Sequence, residues 1–311
     1  MFGYMGKILR VNLSKSKITE EFPDENTLKM FLGGSGLATK YLFDEVKKGI
    51  DPLGPENKLI FMTGPMTGTP SPSTGRYIVV AKSPLTGFYG QANSAGFWGQ
   101  AFKRSGFDGV IFEGISPKPV YLVTDNGKVE LKDAKGIWGK NTSETTRLIN
   151  QELGEKFNVT CIGIAGENLV KYAAIINDAD RPNWGRAAGR CGMGTVMGSK
   201  RLKAIASRGT KKIEVANEDV YREEAKKRYN WVNESLLKMS LEVYGTAGVL
   251  DMVSVRGGLP TRNWQTGVFP GADNINGTAI NQNILTERKP CFACPIACGR
   301  ISEIKTGPYA S

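Results

Sequence analysis

The sequence predicts an α+β protein, with a β-rich mixed region over residues 1–210 and a helical region over 211–311. Three observations lead there. Short apolar runs alternate with glycine turns up to about residue 210, as in a mixed sheet domain. From Asn217 the texture changes to charged helix. Three cysteines then fall within Pro290–Arg300 at the spacing C-x2-C-x3-C, which no ordinary core requires. With 311 residues and 40% hydrophobic content, the chain is long enough for one large domain or two with a sizeable core.

The expected strands, in order, are Lys7–Leu13, Lys58–Met62, Arg76–Ala81, Gly109–Phe112, Val120–Val123, Val159–Ile164, Tyr172–Ile176 and Leu202–Ala206. Each is a short β-branched or aliphatic run bounded by turn residues. Helices are expected near 36–48, 94–105 and 142–153, the last capped by Thr142 or Ser143 and stopped by Gly154. Asn217-Glu218-Asp219 supplies a cap and an acidic first turn for a helix over Tyr221–Met239. No repeat of fixed period and no low-complexity segment is visible.

Apolar runs such as Leu59–Met62 and Tyr77–Ala81 are far below the roughly 18 residues that a membrane span needs. The first residues lack the apolar core and cleavage site of a signal peptide. A cytoplasmic location is therefore the default, where metal-binding cysteines fit and disulfides are not expected. Lys+Arg outnumber Asp+Glu by 41 to 30, a net charge of +11. Lys200, Arg201, Lys203, Arg208, Lys211 and Lys212 cluster without an acidic residue between them. No nucleic-acid motif accompanies them, so a phosphate-bearing cofactor, an acidic redox partner or a solvated face is the expectation.

Cys291, Cys294 and Cys298 read as ligands of an iron-sulfur cluster. Thiolates three and four positions apart on a turn can point at one small object, and the surrounding prolines and glycine suit a loop wrapped on it. Zinc is the second reading, weakened by zero histidines and no second C-x2-C; three buried or free thiols are the third. Cys161 and Cys191 each stand alone and read as small buried thiols rather than ligands. The chain ends in the loop-like Lys305–Ser311, which reads as the end of a fragment whose fourth cluster ligand lies beyond Ser311.

Four stations combine glycine with small or basic residues: Gly33–Gly36, Thr63–Arg76, Asn93–Gly96 and Gly185–Gly194. Backbone N–H groups without a Cβ beside them, together with an arginine fork, suit anion binding. Gly194–Lys200 has the flavour of a P-loop but the wrong residue order, and no strand-borne GxGxxG is present. The absence of histidine removes the usual base of a hydrolytic triad.

Taken in order, Arg10–Leu13, Thr63–Thr69, Gly75–Tyr77, Lys82–Phe88, Ala92–Ser94, Gly163–Asn168, Arg186–Arg190, Val196–Lys200 and the cysteine triplet resemble the aldehyde ferredoxin oxidoreductase family of tungsten-pterin enzymes. The resemblance covers nearly the whole chain. It implies that residues 1–210 form a pair of β-sheets seating a tungstopterin, a bis-molybdopterin with tungsten or molybdenum, and that the helical remainder opens a second domain. It places Arg76 between cluster and pterin, and Asn93, Ala95, Arg186, Ala187 and Gly189 around the pterin phosphates. The main-chain carbonyls of Asn93 and Ala187 would hold a Mg2+ ion bridging those phosphates. Cys291, Cys294 and Cys298 would carry three irons of a 4Fe-4S cluster, with the fourth cysteine and the acid/base residues past Ser311. The implied activity is oxidation of an aldehyde to a carboxylic acid with ferredoxin as acceptor. The implied partners are ferredoxin and an aldehyde, with a homodimer or an accessory electron-transfer subunit. The rival from another class is a non-catalytic iron-sulfur electron-transfer or assembly subunit.

Overall fold

Two sheets with the same internal plan organise the first two-thirds of the chain. The computed structural model describes residues 1–179 and 185–310. They group into two compact units: Met1–Thr69 with Thr74–Glu218, and Pro70–Ser73 with the residues from Asp219 onward.

In the first unit, β1 (Ile8–Asn12), β2 (Lys17–Glu21), β3 (Leu59–Thr63), β4 (Tyr77–Lys82), β5 (Tyr89–Ser94) and β6 (Gly109–Glu113) form one sheet in the order β2-β1-β6-β3-β4-β5. The other sheet contains β7 (Val120–Asp125), β8 (Lys128–Asp133), β9 (Asn158–Cys161), β10 (Ile175–Asn177), β11 (Arg186–Ala188) and β12 (Leu202–Arg208), in the order β8-β7-β12-β9-β10-β11. Counting from the first strand of each sheet, the two orders are identical. The senses match as well: β1 with β6 and β7 with β12 are parallel, and every other pair is antiparallel. This duplication is architectural and left no repeat in the sequence.

Apolar alternation explains the layering. Leu9, Val11, Leu59, Phe61, Val79, Val110 and Phe112 of the first sheet join Val120, Leu122, Leu202 and Ile205 of the second in one core. That core also takes Trp98 and Phe102 of α3 (Trp98–Arg104) and Val196 and Met197 of α6 (Met193–Ser199). The opposite face of the first sheet, with Ile8, Ile60, Met62, Val80 and Ile111, packs on α1 (Glu25–Phe31) and α2 (Gly34–Glu45). The outer face of the second packs on α4 (Thr142–Leu153) through Ile149 and Leu153. Gly198 of α6 is fixed by close approach: a Cβ there would sit 1.9 Å from the Gly166 carbonyl oxygen of α5 (Ile164–Glu167). The P-loop-like glycines thus serve helix packing.

Several expectations shift. Strands β2 and β8 are polar edge strands whose alternation is weak, and β5 is glycine- and polar-rich; sequence reading missed all three. The helix expected from residue 94 starts at Trp98, because Asn93 and Ser94 still pair with Ile78 and Tyr77 of β4. The α4 cap is Asn141, one residue before Thr142: its side chain accepts from Glu144 N–H at 2.8 Å, and the Glu144 carboxylate accepts from Asn141 N–H at 3.3 Å. Gly154 ends the helix as expected, at φ 101°.

The second unit contains α7 (Glu218–Asn233), α8 (Leu236–Tyr244), α9 (Val249–Val255), α10 (Gly277–Asn283), β13 (Leu285–Lys289) and β14 (Gly299–Ser302). The single helix expected over Tyr221–Met239 is broken at Glu234–Ser235, where Ser235 is extended. Strands β13 and β14 form an antiparallel hairpin closed at Lys289 and Gly299. Its connection carries all three clustered cysteines.

The basic run divides: Lys200 and Lys203 turn inward, while Arg201, Lys211 and Lys212 stay exposed. Lys200 is buried with its amine on the Gly114 carbonyl at 3.1 Å, Lys203 pairs with Glu167, Arg208 with Asp125 and Lys212 with Glu218. Burial, reinforced by repulsion from Lys58, pushes the Lys200 amine down to about 7. Between that value and the ordinary lysine range the unfolded chain holds the proton and the folded chain releases it, so stability rises with pH there. Chemical denaturation from pH 7 to 10 should show that rise, and Lys200→Met should flatten it; an unchanged slope would disprove the assignment.

Candidate cofactor site

A buried polar cluster joins the two sheets at one end. Tyr77 on β4 shares a hydrogen bond of 3.1 Å with Thr160 on β9 and donates to Asn177 Oδ1 on β10 at 3.1 Å. Ser94 at the end of β5 donates to the same oxygen at 2.6 Å. Asn177 Nδ2 donates to the Ala95 carbonyl at 2.9 Å and to Asp178 Oδ2 at 2.7 Å, and Phe97 N–H donates to that carboxylate at 2.7 Å. Asn177 is fully buried and Asp178 is 2% exposed. Sequence reading missed both, since a lone Asn-Asp pair looks like any turn.

This cluster fixes the shape of the Asn93–Gly96 station. Gly96 has φ 87°, and a Cβ there would lie 2.4 Å from Asp178 Oδ2, so only glycine fits. The same imaginary atom would stand 3.5 Å from Arg186 Cγ, which places the third and fourth stations against one another. The second and third meet through Arg76 Nη1, which donates to Asn93 Oδ1 at 2.5 Å. The first and second meet where Gly33 approaches the Thr63 carbonyl and Gly64. All four stations therefore adjoin in sequence order.

The site residues expected from the sequence lie along this seam. Arg76, immediately before β4, and Asn93 on β5 are exposed, and Ala95 is half-buried just beyond β5. Arg186 and Ala187 lie on β11, paired with Asn177 and Ile176, and Gly189 follows, exposed. Strands β5 and β11 are the terminal strands of their sheets and pack against each other, so each keeps one side outside the ladder bonds. Exposed main-chain groups beside two arginines fit phosphate oxygens, and exposed carbonyls on the same strands fit a hard cation.

Buried Lys103 braces the second station. It is 0% exposed and donates to the Gly3 carbonyl at 2.6 Å, the Gly64 carbonyl at 2.5 Å and the Pro65 carbonyl at 3.3 Å, with Asp108 Oδ1 at 3.4 Å as its counter-ion. Burial holds its amine below the usual range, opposed by Asp108.

The cysteine loop, in the second unit, is bent at two non-glycine residues in the left-handed region, Ala293 (φ 51°) and Ala297 (φ 51°), each just before a cysteine. Cys294 N–H donates to the Cys291 carbonyl at 3.1 Å, closing a turn. Arg300 fastens the loop: its guanidinium donates to the carbonyls of Ala297 and Gly299, both at 3.1 Å, and of Leu241 and Glu242 at the end of α8, at 3.0 and 2.5 Å. Cys291 and Cys294 are half-buried and Cys298 is exposed. Among the described residues no three His, Cys, Asp or Glu side chains stand in the arrangement that holds a metal ion. The fit to a cluster thus rests on donor type and loop backbone, and three thiols on a doubly bent turn suit iron-sulfur chemistry. Cys161 is of a different kind: buried on β9, its thiol is pushed up to about 11 by burial and stays protonated at neutral pH.

Residues 8–209 match the family model for the aldehyde ferredoxin oxidoreductase N-terminal domain, and residues 223–311 match that for domains 2 and 3. The chain belongs to the aldehyde ferredoxin oxidoreductase family. It is 47% identical over 304 residues to the tungsten-containing aldehyde ferredoxin oxidoreductase of Pyrococcus horikoshii, covering 97% of this chain and 49% of that protein. It is 35% identical to the aliphatic sulfonate oxidoreductase WOR-like subunit of Pyrococcus furiosus, over 99% of this chain and 51% of the relative. A solved active-site complex, BamBC of benzoyl coenzyme A reductase with 1,5-dienoyl-CoA, aligns at a TM-score of 0.83 and 30% identity, covering 99% of this chain and 48% of that one. The chain spans about half the length of these relatives. Family membership accounts for two sheets in the N-terminal region and helices after it. Among the described residues no helix is long and apolar enough to cross a membrane.

Replacing Asn177 by Ala would take the buried Ser94 hydroxyl's acceptor and one hydrogen-bond partner each from Tyr77, Asp178 and the Ala95 carbonyl, at about 2–4 kcal/mol of stability. Urea unfolding of Asn177→Ala should show a loss of that size; a loss below about 1 kcal/mol would show that the cluster does not hold the sheets.

Proposed function

We propose that the protein containing this sequence is a tungsten-pterin oxidoreductase that converts aldehydes to carboxylic acids and passes the electrons to ferredoxin. The observation that carries this reading is the seam of four adjoining stations, with Arg76 on Asn93 and Arg186 against Gly96 between the terminal strands of two like-ordered sheets. Identity of 47% to a tungsten-containing aldehyde ferredoxin oxidoreductase supports it.

In this reading Arg76, Asn93, Ala95, Arg186, Ala187 and Gly189 hold the phosphates of the tungstopterin, by guanidinium forks and by backbone groups. The main-chain carbonyls of Asn93 and Ala187 would hold a Mg2+ ion, a hard cation that takes oxygen ligands. Cys291, Cys294 and Cys298 each bind one iron of a 4Fe-4S cluster. The bound metal-pterin supplies two-electron oxidation with oxygen from water, and the cluster supplies single-electron exit. This chain's residues anchor and orient both groups: Lys103 holds the Gly64–Pro65 turn in place, and Arg300 holds the cysteine loop. Residues 1–210 act as the pterin-seating domain and 211–311 as the start of a cluster-bearing helical domain. The cytoplasm is the compartment that suits such a cluster.

The full-length protein, purified without air, should contain tungsten, iron and magnesium and reduce ferredoxin when given an aldehyde. The double variant Arg76→Ala/Arg186→Ala should retain iron while its tungsten content at limiting cofactor falls about tenfold or more, the order seen when groups supporting a bound centre are removed. Iron without tungsten in the wild-type protein would overturn the reading.

A further inference from the structure

Ser73 stands 221 residues before Cys294 in the chain, yet its hydroxyl donates to Cys294 Sγ at 3.4 Å. Both belong to the second compact unit, which takes Pro70–Ser73 away from its sequence neighbours. The contact is held from several sides. Ser73 N–H donates to the Ala293 carbonyl at 2.7 Å, and the Tyr229 hydroxyl donates to the same oxygen at 3.0 Å. Ser73 (φ 62°) and Ala293 (φ 51°) both lie in the left-handed region, which non-glycine residues adopt only where surrounding contacts impose it. The loop is pinched at its base by Gly68 N–H on the Thr74 carbonyl at 2.8 Å and Thr74 Oγ1 on the Thr69 carbonyl at 2.7 Å. Ser73 is itself exposed, so filling a core does not explain it.

We propose that Ser73 sets the reduction potential of the iron-sulfur cluster carried by Cys291, Cys294 and Cys298, through a hydrogen bond from its hydroxyl to the Cys294 sulfur. The inference rests on the cluster reading given above, with Cys294 Sγ standing for the thiolate that binds iron. A donor aimed at a ligand sulfur stabilises the more negative, reduced cluster and so raises its potential. Ser73 is a positioning residue: it touches the ligand and not the reacting atoms.

The test is a redox titration of the cluster in full-length protein, followed by electron paramagnetic resonance, for wild type, Ser73→Ala and Ser73→Gly. Both variants remove the hydroxyl and keep the N–H that binds Ala293. Ala retains the left-handed strain and Gly relieves it, so a common shift belongs to the hydroxyl. Both should titrate at lower potential, with the reduced-to-oxidised ratio at a fixed potential down roughly tenfold, which is about 59 mV for a one-electron couple. Unchanged potentials at full iron content would overturn the proposal, as would loss of iron in both variants, which would make Ser73 a retaining contact. If one variant loses iron, the other decides. Wild-type protein without iron would instead defeat the cluster reading on which the proposal stands.

Discussion

The hydrogen bonds converging on the Asn177 side chain are the constraint on which the rest of the first unit depends. An amide has one acceptor and two donors of use here, and all are taken by groups from both sheets. Hydrophobic contact between two sheets is non-directional and would tolerate sliding. A hydrogen-bonded polar cluster in a dry interior tolerates little, because each broken bond leaves a buried polar atom with one partner fewer. The cluster therefore sets the relative position of β4, β5, β9 and β10, and with it the seam where Arg76, Asn93 and Arg186 meet.

Lysine is used here in an unusual way. Lys103, Lys200 and Lys203 are all fully buried. Two of them end on backbone carbonyls of loops far away in sequence, Lys103 at Gly64 and Lys200 at Gly114, and Lys203 combines the Lys140 carbonyl with Glu167. A long stem with a donor-only tip can cross a core and tie down a turn whose carbonyls would otherwise lack partners. The net charge of +11 is thus a poor guide to the surface, since part of it serves the interior.

What the sequence disclosed follows from which forces act locally. Apolar runs such as Leu59–Met62 and Tyr77–Ala81 announced central strands, because a strand buried on both faces is predominantly apolar. Edge strands β2, β8 and β11 carry no such demand and were passed over. The C-x2-C-x3-C spacing was legible because ligand geometry is written into adjacent residues. Ser73, Asn177, Asp178 and Lys103 were not, since each has a partner from 38 to 221 residues away and nothing in its own neighbourhood marks it. The glycines of α6, whose residue order already spoke against a phosphate loop, allow one helix to approach another.

The matched strand orders of the two sheets have a consequence for how a ligand would leave. Strands β5 and β11 occupy the same place in their respective halves, and both belong to the first unit, where Asn177 ties the sheets together. A molecule gripped at both edges cannot dissociate by a single opening event: while one end is free, the other keeps it at high effective concentration beside the vacated grip, and recapture is faster than escape. A doubled frame therefore lengthens residence without any individual contact being strong. The two grips need not be equal, because the halves carry different side chains on the same scaffold, and one can change while the other continues to hold.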